Sequence, residues 1–86
     1  MPQYKRQKLL HRCKNRGFKE IELLLVEFGR TYLDRMNDDQ LDLFATLLDC
    51  EDPDLYDWIM GNKEIPKEFE SSVWQMILTF RKSGLF

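Results

Sequence analysis

His11 is the only histidine of the chain, and it stands among cations, with Lys8, Arg12 and Lys14 close by in sequence. Acid-base and nucleophilic chemistry needs matched groups, a base beside a nucleophile and a third group that orients it. The positive neighbours supply no orienting carboxylate, so His11 reads as a surface or half-packed residue. Ser71, Ser72 and Ser83 are the serines, and none lies in a nucleophile elbow. Cys13 and Cys50 are far apart and outside any Cys-x-x-Cys pattern, and no signal peptide points to an oxidising compartment, so both read as reduced thiols. Two cysteines and one histidine lack zinc spacing. The acidic run from Asp49 to Asp57 lacks the oxygen order and central glycine of a calcium loop, and Asp52 and Asp54 read as helix-start residues favoured by the macrodipole. Gly17, Gly29, Gly61 and Gly84 never cluster as phosphate and dinucleotide loops require. No catalytic residue, metal ligand set or stably bound cofactor is expected.

Recognition suits the residue types better. In Arg16-Gly17-Phe18-Lys19-Glu20, glycine permits a sharp turn and leaves room for a partner's backbone where a Cβ would stand. Glu20 falls in the first turn of the following helix, where free amides stabilise a carboxylate. Arg16 would stand at the apex with a planar five-donor fork suited to a carboxylate, carbonyl or phosphate. The same spacing describes a plain helix corner in which Glu20 caps and Arg16 is solvated. The candidate partner-binding set is Arg16, Gly17 and Glu20, extended to Phe18 and Lys19 and, on the preceding basic helix, to Lys8, His11 and Arg12.

Five helical segments must position these residues, and no segment alternates in the manner of a half-buried strand. The first, from Tyr4 to Lys14, has Leu9, Leu10 and Cys13 as its apolar positions and is the most polar; Asn15-Arg16-Gly17 breaks it, because Asn and Gly tolerate the left-handed conformation. The second, from Phe18 to Met36, carries Phe18, Ile21, Leu25, Phe28 and Tyr32 on one stripe, widened by Leu24 and Leu33. Gly29 in its middle suggests a close helix crossing. Asn37-Asp38-Asp39-Gln40 resembles a capping box opening a third helix, with Leu41, Phe44, Leu47 and Leu48 buried. Asp52-Pro53 marks the start of a fourth, with Asp as cap and proline first, and Gly61 its end; Leu55, Trp58 and Ile59 face inward. Pro66 begins a fifth, with Phe69, Val73, Met76, Ile77 and Phe80 on one stripe and Trp74 and Leu78 beside it, and Ser83-Gly84 stops it. Short connections between such helices predict an all-α fold, one compact five-helix bundle spanning 1–86 as a single domain.

Composition sets the outer bounds. At 86 residues the chain buries only about 60 to 65% of the surface that its unfolded form exposes, which leaves no room for a deep catalytic cleft. With 43% hydrophobic and 13% aromatic residues it is a folding sequence, not a disordered one. Charge is divided along it: seven basic residues and one acidic from Met1 to Glu20 give +6, while nine acidic residues and Arg35 from Asp34 to Asp57 give −8. An electrostatic dipole is expected. The basic end could serve a nucleic-acid-binding or regulatory module, but a pI near 5.3 and the lack of a helix-turn-helix or aromatic RNA-binding signature make that the lesser alternative. Leu23 to Val26, the longest apolar run, is too short to span a bilayer. No membrane insertion is expected, and a monomer is, since no coiled-coil repeat demands association.

Arg16-Gly17-x-x-Glu20, preceded by a basic helix containing Leu9-Leu10 and followed by Ile21-Glu22-Leu23-Leu24-Leu25, resembles the Arg-Gly-x-x-Glu signature of the SdhE-type succinate dehydrogenase assembly factors, also called flavinylation factors. The likeness continues through Met36-Asn37-Asp38-Asp39-Gln40-Leu41, Leu47-Leu48 and Asp52-Pro53-Asp54-Leu55-Tyr56-Asp57-Trp58, so it covers most of the chain from Leu9 to about Pro66. The resemblance implies a five-helix protein that binds the flavoprotein subunit of succinate dehydrogenase, and in some bacteria of fumarate reductase, and promotes covalent attachment of FAD to that partner. It also implies that a histidine of the partner, not His11, receives the flavin, and that Arg16, Gly17 and Glu20 are the contact centre while Phe18 and Lys19 fill variable positions. A chain that begins almost at its first helix resembles the bacterial, cytoplasmic members.

Overall fold

Ile21, Leu24, Leu25 and Phe28 repeat at three- and four-residue spacing, and all four are buried along one side of α2 (Lys19–Tyr32). Against that stripe pack α1 (Pro2–Arg12), α3 (Asp38–Leu48), α4 (Asp52–Met60) and α5 (Ser72–Phe80). The computed structural model describes residues 2–14 and 16–85, and among them there is no strand, so the all-α five-helix expectation holds. The helix-breaking role expected of Asn15 lies outside the described residues.

Aromatic rings join the helices at the centre. Phe28 of α2 lies 5.4 Å from Phe44 of α3 and 5.8 Å from Phe80 of α5, ring centre to ring centre, and Tyr32 stacks on Phe28 at 4.9 Å. Such pairs contribute about 0.5–1.5 kcal/mol each beyond the area they bury.

Local capping chemistry sets several helix ends. Asn37 and Gln40 form the reciprocal capping box expected of them: the Gln40 amide donates to Asn37 Oδ1 at 2.8 Å and the Asn37 amide to Gln40 Oε1 at 3.1 Å. Gly61 closes α4 with φ +82°, while the amides of Gly61 and Asn62 donate to the carbonyls of Trp58 and Asp57.

Several boundaries differ from the expectation. α1 ends at Arg12, with Cys13 and Lys14 in a turn. α2 stops at Tyr32, and Leu33–Arg35 tighten into a 3-10 turn before Met36 becomes extended. Asp52 is the first residue of α4 rather than its cap; Glu51 precedes the helix and Pro53 is second. Pro66 opens only a 3-10 turn, Lys67–Phe69, and α5 begins at Ser72, because the Ser71 hydroxyl accepts the Trp74 amide at 3.2 Å and draws the helix start to itself. Nor do Ser83 and Gly84 stop α5, which ends at Phe80 and passes into a π-helical turn over Arg81–Leu85.

Gly29 marks the close crossing of α1 and α2. A Cβ there would lie 3.1 Å from Leu10 Cδ1, 3.3 Å from Leu33 Cδ1 and 3.8 Å from Cys13 Sγ. Gly29→Ala should be near neutral in urea unfolding, because a helix-propensity gain of about 1 kcal/mol offsets the crowding of two flexible leucine tips. Gly29→Leu, which no tip movement can accommodate, should cost about 1–3 kcal/mol.

Both cysteines are free. Burial pushes the Cys13 thiol up to about 12, against the opposing charges of Arg16 and Arg12. Cys50 is also raised, first by burial and then by Asp54, Asp49 and Glu68, with Arg16 opposing. A raised thiol pKa means less thiolate at neutral pH. At pH 8 a thiol-specific alkylating reagent should therefore label half-buried Cys50 slowly and Cys13 only on unfolding, as peptide mass spectrometry would read.

Candidate functional site

Residues 16–18 carry the chain from α1 to α2, and Arg16 fixes their shape. Its Nε–H donates to Asp52 Oδ1 at 2.6 Å, Nη2 to the carbonyls of Leu48 at 3.1 Å and Cys50 at 3.3 Å, and Nη1 to the carbonyl of Arg12 at 3.2 Å. The other Asp52 oxygen, Oδ2, accepts the Gly17 amide at 2.6 Å, and the Arg16 amide donates to Glu22 Oε1 at 3.3 Å. Only 11% of the Arg16 side chain and 17% of the Asp52 side chain is exposed, so water screens this pair weakly.

Helix ends explain why a cation and an anion meet here. The last turn of α3 has no basic residue of its own, and its free carbonyls take the Arg16 guanidinium. Asp52, in the first turn of α4, sits where free amides favour a carboxylate.

This geometry revises three expectations. The Arg16 fork does not stand open at an apex, and Arg16 is not the solvated residue of a plain corner; it is engaged within the chain. Gly17 does not use the left-handed region, which among the described glycines only Gly61 occupies. A Cβ at Gly17 would instead stand close, 3.3 Å from the Asp52 oxygen that receives its amide, so a side chain there would press on that carboxylate. Glu22, not Glu20, reaches back to the turn.

Charge is distributed differently from the dipole expected of the linear sequence. Lys5 pairs with Asp42 at 2.5 Å, Arg12 with Asp49 and Arg16 with Asp52, so the basic and acidic stretches lie against each other. The first two pairs advance by the same step along both elements, which sets α1 parallel to α3. Arg6 donates to the carbonyls of Leu33, at 2.6 Å, and Met36, capping the end of the α2 segment.

Among the candidate partner-binding residues, Arg16 and Arg12 are therefore committed inside the chain. Phe18 is half-buried, its ring 5.3 Å from that of Tyr56. Lys8, His11, Lys19 and Glu20 are exposed, and among the described residues none of the four is in an ion pair. Lys8 lies over the exposed Tyr4 ring at 5.3 Å. A shallow depression of about 350 Å³, lined by Arg16, Gly17, Phe18 and the residues from Asp49 to Pro53, marks the clamped turn on the surface. Among the described residues no group of histidine, cysteine and carboxylate side chains could hold a metal, and no helix is long and apolar enough to cross a membrane.

Asp52 is the site residue that local sequence reasoning missed, and the clamp predicts its weight. Asp52→Ala leaves the Arg16 charge unpaired and should cost about 3 kcal/mol in urea unfolding, whereas Arg16→Met combined with Asp52→Leu should cost clearly less than Asp52→Ala alone.

The family model described as "Flavinator of succinate dehydrogenase" matches residues 7–81. The chain is 41% identical over 68 residues to "FAD assembly factor SdhE" of Legionella pneumophila (strain Paris), covering 79% of this chain and 85% of that one. It is 32% identical over 68 residues to the protein of the same name from Yersinia pseudotuberculosis, covering 79% and 74%. With "Succinate dehydrogenase assembly factor 2, mitochondrial" of Dictyostelium discoideum it shares 38% identity over 72 residues, which is 84% of this chain but 51% of that protein, so the chain spans about half the length of that relative. No solved structure matches. The matched residues take in most of α1, the turn that Asp52 clamps and all of α2 to α5, and on that extent the chain belongs to the flavinator of succinate dehydrogenase family.

Proposed function

We propose that this chain is an assembly chaperone for the flavoprotein subunit of succinate dehydrogenase, and of fumarate reductase where a cell has it, and that it promotes covalent attachment of FAD to that partner. The observation that carries the proposal is the family match over residues 7–81, which includes the Arg16-Gly17-x-x-Glu20 signature on the clamped turn. The chain performs no chemistry of its own in this scheme, and the flavin ends on the partner. Similarity to the Legionella and Yersinia factors supports a bacterial cytoplasmic setting.

Physics allows a small domain to do this. A protein that binds one conformation of its partner more tightly than another shifts the partner toward it. A tenfold shift needs about 1.4 kcal/mol of differential affinity. Within the signature the proposal divides the labour: Arg16 and Gly17 hold the turn through Asp52, and Glu20, with Lys19 beside it, meets the partner. Lys8 and His11, exposed on α1, are further contacts in this scheme. The nucleic-acid alternative finds less support, because Lys5, Arg6, Arg12 and Arg16 already have partners within the chain.

The experiment mixes the full chain with apo-flavoprotein and FAD and measures the flavin that remains on the polypeptide after denaturation. The chain should raise the yield. Glu20→Ala should keep the wild-type melting temperature while lowering the initial rate about tenfold, the equivalent of 1.4 kcal/mol; Arg16→Ala should lower both rate and stability. A yield indifferent to the chain would end the proposal.

A further inference from the structure

One helical turn beyond Glu20 the surface becomes apolar. Leu23 is 50% exposed, although the buried stripe of α2 is complete without it. With Leu24, Met60 at the end of α4 and Arg81 at the start of the π-helical turn, it lines an open groove of about 300 Å³. The lining carries two charges of opposite sign, Glu20 and Arg81, and among the described residues neither is in an ion pair.

A single exposed leucine is ordinary. Here it coincides with a concave floor and with two rim charges in no ion pair among the described residues, one of them the exposed carboxylate of the signature. We propose that this groove receives one large apolar side chain of the flavoprotein, on a segment that also presents a cation to Glu20 and a carboxylate to Arg81. The inference rests on the proposed function and adds a second anchor to it, continuous with Glu20. The volume fits such an occupant: it is at the low end of the roughly 300–1,000 Å³ of clefts that enclose small organic molecules, which suits one side chain better than a dinucleotide. An apolar anchor ringed by charges is also how binding energy concentrates in protein interfaces, the centre supplying affinity and the rim orientation.

The test measures affinity of the full chain for apo-flavoprotein by titration calorimetry at low and high ionic strength, with thermal melts of each variant. Leu23→Ala should melt like the wild type and bind about tenfold more weakly at both ionic strengths. Arg81→Glu should weaken binding most at low ionic strength, because rim charges are screened by salt. If the wild type binds and both variants bind equally well, the groove is not an anchor, while the proposed function stands. If the wild type does not bind the flavoprotein, the function and the groove fall together. Should Leu23→Ala instead dissolve a self-associated form in sedimentation and leave flavoprotein binding unchanged, the occupant is a second copy of this chain and the proposal is overturned.

Discussion

Arg16 bonds at once to the ends of three helices: the last carbonyl of α1, two carbonyls where α3 runs out, and the carboxylate that opens α4. Buried helix ends must find partners for their unpaired groups, and here one side chain serves α1 and α3 while ion-pairing to α4. The turn between α1 and α2 is shaped by the same event, since the second Asp52 oxygen takes the Gly17 amide. Remove the carboxylate and a guanidinium is left against carbonyls without its counter-ion, in a place where water screens it little.

Seen from this pair, the basic helix has a structural purpose before any binding purpose. Among the described residues, α1 contributes Leu9 to the core and the turn after it contributes Cys13, with little else fully buried. Charge does much of the fastening: Lys5 and Arg12 face acids of α3 and its C-terminal cap, and Arg6 caps the end of the α2 segment. Exposed pairs of this kind contribute little singly, but they set the register in which the better-protected Arg16 reaches Asp52. What remains outward is a narrower set of groups than the linear sequence advertises, with Lys8, His11, Lys19 and Glu20 among them.

Features governed by neighbours in the chain were legible in the sequence. The stripe of α2, the Asn37–Gln40 box, the glycine stop at Gly61 and the close approach at Gly29 each depend on residue type within a turn or two, and each appears as expected. Pro66 is the louder punctuation in the sequence, yet the Ser71 hydroxyl does the capping and sets the start of α5. Asp52 looked like a helix-start residue, and it does stand in the first turn of α4; its tie to Arg16, 36 residues away, has no local trace. One indirect cue existed, an α3 whose last turn supplies no cation for its own carbonyls. The motifs that carry the resemblance run from Leu9 to about Pro66, while the family model extends from residue 7 to 81 and so takes in α5.

The Asp52 clamp also gives the turn between α1 and α2 a dependence on time. A contact across 36 residues closes a long loop, and the entropy of that closure must be met before the contact rewards it. While the chain is still collapsing, the signature residues are present in order but have no fixed shape, since the carboxylate that holds Arg16 and Gly17 arrives with α4. The turn matures with the fold, so a half-folded copy carries the signature sequence without the shape that the clamp gives it.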